Sequence, residues 1–287
     1  MTKTSKEILK NIYQKRPIDA KKYDYGLLLV IGGSEFYSGS PAFSGLAAFK
    51  AGVDMVRIIA PARAANIIAS FSPVLAAYPL KGDWLTREHL PTLISMTESA
   101  KTVSHGKTAV VIGGGAGRTE ETQSAIREYL SGITISAVID ADAIHAIAED
   151  PQVIAGKQFL ITPNLYEFFI LTKKDIRQSS ENERIEAVRK EAGRLQTTIL
   201  LKGATDIISD GKDVALNVGG SPYMSKGGTG DVLAGVAGAI LARGVNPFLA
   251  GQSAVFINDS AGELAAKKYG ESLLATDVIE EIAKVLK

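Results

Sequence analysis

Apolar residues form short continuous runs that alternate with segments of helical periodicity. Residues 26–33 are one such run and end in two glycines, which predicts a buried strand followed by a turn. Residues 41–52 then show helical spacing, and residues 53–60 form a second apolar run. The alternation predicts β-α units, and strands that are apolar throughout are typical of a parallel sheet covered on both faces.

The same alternation continues along most of the chain. We expect further strands near residues 74–78, 108–113, 137–139, 158–161 and 197–201, with helices at residues 5–14, 62–70, 86–99, 120–130, 143–148 and 180–196. Two more apolar segments, residues 206–209 and 214–218, flank Asp210-Gly211, a dipeptide typical of hairpins, which predicts an antiparallel edge. Residues 231–243, 247–268 and 276–286 have helical patterns. No linker or repeat interrupts residues 1–287, so we expect one doubly wound α/β domain.

Charge and composition exclude several classes of function. Lys and Arg total 32 against 31 Asp and Glu, for a net charge of +1, so we expect no nucleic-acid partner and no membrane partner. The chain has no cysteine, which excludes disulfides, thiolate zinc sites and a cysteine nucleophile. Residues 1–16 lack the apolar core of a signal peptide, so a cytoplasmic location is expected.

Two glycine-containing segments imitate nucleotide-binding motifs. Gly106-Lys107-Thr108 resembles the end of a Walker A loop, but Lys101 stands where its first glycine belongs, and a strand follows where a helix should. The segment 113–117 follows a strand as a dinucleotide-binding turn does, yet Arg118 replaces the third glycine. Hydride transfer is therefore disfavoured, while Gly113 and Gly115 remain candidates for close backbone approach to a ligand.

The strongest motif is residues 226–235, Lys-Gly-Gly-Thr-Gly-Asp-Val-Leu-Ala-Gly, at the start of a predicted helix. Free N–H groups at a helix start bind anions, and glycine removes the side chains that would block a phosphate. Asp231 would then lie beside a bound phosphate, where its carboxylate can act as a base on an attacking hydroxyl. An ordinary helix cap with an aspartate in its first turn is the alternative, but it does not require three glycines.

Gly228-Thr229-Gly230-Asp231 resembles the anion-hole signature of the ribokinase-like superfamily. Further segments narrow the family: Tyr37-Ser-Gly-Ser-Pro41, Val138-Ile-Asp-Ala-Asp-Ala143, Thr162-Pro163 with Glu167, and Leu201-Lys-Gly-Ala-Thr205. In this order they are similar to the ADP- or ATP-dependent NAD(P)H-hydrate dehydratases. Two departures occur, because Asn164-Leu165-Tyr166 replaces the family's His-Pro-Gly, and Gly113-Gly114-Gly115 replaces its Gly-Pro-Gly.

The resemblance implies a ribokinase-like three-layer sandwich with a mostly parallel sheet, helices on both faces and an antiparallel edge. It implies dehydration of the S-form of hydrated NADH and NADPH through phosphorylation of the C6 hydroxyl and loss of phosphate. The implied residues are Asp231, Gly228, Thr229 and Gly230 for catalysis; Tyr37, Ser40, Ser44, Gly115, Asn164 and Asp231 for the hydrated cofactor; and Lys202, Gly203, Ala204, Thr205, Asp206 and Gly230 for the nucleotide. A homotetramer and a separate epimerase in the same pathway are also expected.

Asp140 and Asp142 end a predicted strand and are candidates to bind Mg²⁺ through water, as phosphoryl transfer from a nucleotide requires. Asp142 could instead cap the following helix. A kinase that releases a phosphorylated thiazole, pyrimidine or sugar alcohol, and a non-catalytic nucleotide-binding module, stay open as alternatives. So do the choice between ADP and ATP and the choice between the two hydrated cofactors.

Overall fold

The computed structural model describes residues 1–287, and its centre is one ten-stranded sheet. The strands are β1 (Thr2–Lys3), β2 (Leu27–Ile31), β3 (Met55–Pro61), β4 (Ala76–Leu80), β5 (Thr108–Ile112), β6 (Ser136–Ile139), β7 (Phe159–Ile161), β8 (Thr198–Leu201), β9 (Thr205–Ser209) and β10 (Val214–Val218). Their order across the sheet is β1-β10-β9-β8-β7-β6-β5-β2-β3-β4. The pairs from β4 to β8 are all parallel, whereas β8–β9 and β9–β10 are antiparallel. The predicted antiparallel edge is confirmed.

Ten α-helices surround the sheet. They are α1 (Gly39–Lys50), α2 (Ala62–Phe71), α3 (Leu90–Val103), α4 (Glu120–Gly132), α5 (Asp142–Ile147), α6 (Leu165–Thr172), α7 (Glu181–Leu195), α8 (Thr229–Ala242), α9 (Pro247–Tyr269) and α10 (Ala275–Val285). One apolar cluster of 43 buried residues joins the sheet to α1, α8, α9 and α10, and a second of 38 joins its other face to α3, α4, α5 and α7. The sheet is thus buried on both faces to a similar extent. None of the helices combines the length and apolar character needed to cross a bilayer.

Three elements differ from the prediction. The helix expected at residues 5–14 is only a 3₁₀ turn, Lys6–Leu9, because Leu9 alone of these four residues is buried. Helix α6 was not predicted, since its sequence is apolar on nearly all sides and lacks helical periodicity. Strand β1, which pairs with β10 in parallel, has only two residues, too few for any periodicity to be seen.

Helices α1 and α8 approach each other closely. A Cβ atom at Gly235 would lie 2.2 Å from the main-chain oxygen of Ser44, nearer than any side chain can stand. The Ser44 hydroxyl also donates a 2.9 Å hydrogen bond to the main-chain oxygen of Asp231. A glycine is therefore required at position 235 for the first turn of α8 to contact α1.

We expect Gly235→Ala to lower the free energy of unfolding by about 1–3 kcal/mol or more, because its methyl group forces the two backbones apart. Gly132→Ala is the matched control, since the nearest atom to a Cβ there is 3.8 Å away. Helix propensity predicts that this control is neutral or stabilising by up to about 1 kcal/mol. Urea denaturation of both variants measures the difference; equal stabilities would contradict the packing argument.

Candidate active site

A cavity of about 970 Å³ lies where the parallel strands end. Its walls are the segment after β8, the loop 219–227, the first turn of α8 and one side of α9, and only four of the nineteen lining residues are hydrophobic. Ligands of open α/β sheets bind at this edge, outside the carboxyl ends of the strands. The size and polar lining suit a ligand as large as a nucleotide.

The start of α8 has the geometry of an anion site. Gly228 precedes the helix with a φ of 97°, and a Cβ there would lie 2.8 Å from Ala275 Cβ, so a side chain is excluded on both grounds. Thr229 does not offer its hydroxyl to a ligand, because it donates to the main-chain oxygens of Met224 (2.8 Å) and Lys226 (3.0 Å). Thr229 thus stabilises the turn, and the N–H groups of this turn are what can bind a phosphate.

Asp231 lies in the first turn of this helix, beside α1. Its Oδ2 accepts a 2.9 Å hydrogen bond from the Ser40 hydroxyl. Burial and the negative charge of Asp140 raise the pKa of Asp231 to about 7, although the Ser40 hydrogen bond and the Lys202 charge act in the opposite direction. A carboxyl group with this pKa can accept a proton near neutral pH, as a general base must.

Lys202 is the cation among these acidic groups. Its Nζ donates to Asp140 Oδ1 at 2.9 Å and lies 3.8 Å from Glu167 Oε2. Burial lowers the pKa of Lys202, but the two carboxylates outweigh it and the net pKa is raised, so the side chain stays charged. A Cβ at Gly230 would be 3.5 Å from the same Nζ, which places the ammonium group at the start of α8.

The two candidate metal-binding aspartates face different partners. Asp142 accepts from the Gly117 N–H (2.9 Å) and from Arg118 Nε (2.7 Å), whereas both hydrogen bonds to the Asp140 side chain, from Thr162 and Lys202, fall on Oδ1. No three His, Cys, Asp or Glu side chains converge as direct ligands. The carboxylate oxygens here therefore suit only an ion that keeps most of its waters, as Mg²⁺ does. Asp140 would bind such an ion through one of those waters.

The residues predicted for the hydrated cofactor fall into two places. The ring of Tyr37 lies against Gly115, where a Cβ would be 2.9 Å from Tyr37 Cδ1. Burial raises the pKa of Tyr37, and the negative charge of Asp231 adds to this shift. Tyr37 and Ser40 therefore both lie beside the Asp231 carboxyl group. Ser44 does not join them: it is 2% exposed, and its hydroxyl is used within the α1–α8 contact.

Asn164 is separate from that group and lines the large cavity. Its Oδ1 accepts from the N–H groups of Tyr166 and Glu167, and the Glu167 side chain accepts in return from the Asn164 N–H at 2.8 Å. This capping box begins α6. Only the amide NH₂ of Asn164 is left to contact a ligand, so its role toward the hydrated cofactor stays a prediction.

The segment predicted to bind the nucleotide lies only partly at the cavity. Gly203, Ala204 and Asp206 line the cavity, but the Thr205 hydroxyl donates to Glu181 Oε2 at 2.9 Å and is turned toward α7. Sequence reasoning overlooked Asn258 and Asp259 on the opposite wall. Their one visible signal is a pair of polar residues within the apolar run of α9.

Comparison with known proteins identifies the family of this chain. The NAD(P)H-hydrate dehydratase family matches residues 28–284. The bifunctional NAD(P)H-hydrate repair enzyme Nnr of Pyrobaculum aerophilum is 42% identical over 274 residues, covering 95% of this chain and 52% of that protein. The ADP-dependent (S)-NAD(P)H-hydrate dehydratase of Cenarchaeum symbiosum is 36% identical over 270 residues, which cover 94% of this chain and 91% of that protein. The chain thus spans about half the length of the bifunctional relatives.

Solved structures show the same fold. A ribokinase-like superfamily protein from Enterococcus faecalis has a TM-score of 0.84 at 24% identity, covering 100% of this chain and 95% of its own. The ADP/ATP-dependent NAD(P)H-hydrate dehydratase of Bacillus subtilis, co-crystallised with ATP/Mg²⁺, has a TM-score of 0.79 at 23% identity, covering 99% and 97%. The expected ribokinase-like α/β sandwich is confirmed.

The raised pKa of Asp231 predicts a pH-dependent stability difference between the wild type and Asp231→Asn. The folded protein holds this proton up to about pH 7, whereas an ordinary aspartate releases it near 3.8, so the stabilisation is present at low pH and is lost as pH rises through 7. Between pH 5 and pH 7 we expect the unfolding free energy of the wild type to fall by at most roughly 2–3 kcal/mol relative to that of the variant. Above pH 7 the difference between the two free energies should stay constant. Urea titrations at pH 5, 6, 7 and 8 measure it; a difference independent of pH would contradict the assignment.

Proposed function

The chain belongs to the NAD(P)H-hydrate dehydratase family, and from this we propose that it removes water from the S-form of hydrated NADH and NADPH at the expense of ADP or ATP. The observation that carries the proposal is Asp231, a carboxyl group with a pKa of about 7 held by Ser40 in the first turn of a glycine-initiated helix. A base beside an anion site suits phosphoryl transfer to a hydroxyl. The relatives named ADP-dependent favour ADP as the phosphoryl donor.

The chemistry follows from the poor leaving ability of hydroxide. Asp231 takes the proton of the C6 hydroxyl while that oxygen attacks the terminal phosphorus of the nucleotide, and the bond to the bridging oxygen breaks. The N–H groups at the start of α8 and the Lys202 ammonium stabilise the charge on the phosphoryl oxygens. The lone pair of the ring nitrogen then expels inorganic phosphate and leaves an iminium ion. Loss of a proton from C5, whose C–H electron pair forms the C5–C6 double bond, restores the dihydronicotinamide.

Magnesium belongs to the same proposal. When bound, Mg²⁺ would neutralise charge on the nucleotide phosphates, held on the protein side by Asp140 through water. The Bacillus subtilis crystals contain ATP/Mg²⁺, which supports the ion in this fold. We also propose a cytoplasmic homotetramer that acts on the product of a separate epimerase, and the bifunctional repair enzymes among its relatives support a link to a second repair activity.

A small-molecule kinase is the second candidate. The hydroxyethylthiazole kinase of Pyrococcus horikoshii shares the fold with a TM-score of 0.64, below the 0.79 of the Bacillus dehydratase. Incubation of hydrated NADH with ADP or ATP separates the two functions. A dehydratase releases inorganic phosphate and regains the dihydronicotinamide absorbance, whereas a kinase leaves the phosphate on its product.

Asp231→Asn keeps the shape of the side chain but removes the base. We expect turnover to fall by roughly two to four orders of magnitude while both ligands still bind, since general-base catalysis contributes about this much. In the wild type, kcat/KM should rise with pH and level off above about 7, because the ionised carboxylate is the active form. Turnover within about threefold of wild type would refute the assignment.

Lys202→Ala should weaken nucleotide affinity by roughly 10- to 100-fold, since it removes a charge-assisted contact to phosphate. Lys190→Ala is the matched control, because Lys190 is an exposed lysine on α7 away from the cavity. Calorimetric titration with ADP measures both variants. An unchanged dissociation constant for Lys202→Ala would remove this lysine from the nucleotide site.

A further inference from the structure

Two acidic side chains meet on the cavity wall opposite the segment after β8. Asp206 of β9 and Asp259 of α9 both accept from one donor, Asn217 Nδ2, at 3.2 Å and 2.7 Å. Asn217 is itself held by the Thr4 hydroxyl, which donates to Asn217 Oδ1 at 2.6 Å. Asp206 and Asp259 both line the large cavity, although their residues are 53 positions apart in sequence.

No lysine or arginine forms an ion pair with either carboxyl group. Lys202, the nearest cation that acts on Asp206, is already bonded to Asp140. Burial and the charge of Asp206 raise the pKa of Asp259 to about 8, so Asp259 keeps its proton at neutral pH and the two groups share one negative charge. The Asn217 amide occupies the space between the two Oδ2 atoms, where a cation would have to lie.

Asn258, the residue before Asp259, supplies an independent sign of a ligand. It lines the same cavity, is 5% exposed, and its Oδ1 is buried with no hydrogen-bond partner. A buried amide oxygen without a donor is unfavourable, so such groups in folded proteins are satisfied by protein, water or ligand. A donor group on a ligand in the cavity would satisfy it once the Asn258 amide turns this oxygen toward the cavity.

The cavity has two chemically different ends. The end at Gly230 and Lys202 suits phosphate, whereas the wall at Asp206, Asp259 and Asn258 offers acceptor oxygens that repel it. Acceptors of this kind bind neutral donors such as an exocyclic amino group or a sugar hydroxyl. A nucleotide carries these donors on the part of the molecule that lies away from its terminal phosphate.

We propose that Asp259 and Asn258 are the specificity-determining residues for the nucleoside part of the nucleotide, accepting hydrogen bonds from its amino group or ribose hydroxyls. This inference rests on the proposed function. Asp206, Asn217 and Thr4 act as positioning residues, because they hold Asp259 from the strand side. The donor and acceptor pattern of the wall then selects among nucleotides that present identical phosphates.

The test compares four probes by calorimetry on the full chain: ADP, IDP, 2′-deoxy-ADP and inorganic pyrophosphate. Asp259→Ala should weaken ADP about tenfold or more and leave pyrophosphate unchanged. The loss should shrink with IDP if the amino group is the donor, and with 2′-deoxy-ADP if the 2′-hydroxyl is. Under saturating nucleotide, kcat should stay near wild type while KM for ADP rises.

Asp213→Ala is the matched control, since Asp213 is an exposed aspartate in the hairpin turn whose side chain makes no hydrogen bond. Asn258→Ala, which removes the other acceptor named in the proposal, replaces Asp259→Ala if the latter fails to fold. Equal losses for ADP and pyrophosphate, or no loss for either, would overturn the inference. Wild-type protein that binds ADP without dehydrating the hydrated cofactor would overturn the proposed function alone, and wild-type protein that binds no adenine nucleotide would overturn both.

Discussion

The close contact between α1 and α8 is the constraint on which the site depends. A Cβ at Gly235 would meet the Ser44 backbone at 2.2 Å, so the two helix axes can approach only because this position is a glycine. That approach puts the Ser40 hydroxyl 2.9 Å from Asp231 Oδ2, between residues 191 positions apart. The orientation of the Asp231 carboxyl group is thus set by backbone packing, and Ser44 strengthens it through the Asp231 carbonyl.

The electrostatics of the site follow from an excess of carboxylates over cations. Asp140, Glu167 and Asp231 surround Lys202, and burial raises the pKa of both Glu167 and Asp231. One ammonium group cannot neutralise three carboxylates, and Asp231, which bonds to Ser40 instead of to Lys202, has its pKa raised to about 7. A carboxyl group that titrates near neutral pH results from this shared counter-ion without any unusual residue.

The proton on Asp231 and the proton on Asp259 have the same origin but different surroundings. Each aspartate is partly or wholly removed from water next to a second carboxylate, Asp140 in one case and Asp206 in the other. Asp231 lies beside the N–H groups of a helix start, where a phosphate can be attacked, whereas Asp259 lies beside neutral amides. The two aspartates therefore differ less in acidity than in the hydrogen-bond donors around them. Those of Asp231 suit a chemical step, and those of Asp259 suit ligand recognition.

The sequence by itself determined the features that local chain segments control. Strand and helix alternation, the hairpin at Asp210-Gly211 and the glycine-initiated start of α8 at residues 227–231 depend on periodicity and on glycine within a few residues, and each was predicted. Two short elements, β1 and α6, were not predicted. Strand β1 has two residues, too few to show a periodicity, and α6 is apolar on nearly all sides and so shows no amphipathic pattern.

Tertiary structure alone decided which polar groups meet. It paired Asp142 with Arg118 and not with Asp140, turned Thr205 toward Glu181, and committed the Asn164 oxygen to capping α6. It also joined Asp206, Asn217 and Asp259 into one wall. Contacts between distant residues depend on how layers pack, and a side chain's nearest partner in space has no signature in its neighbours along the chain.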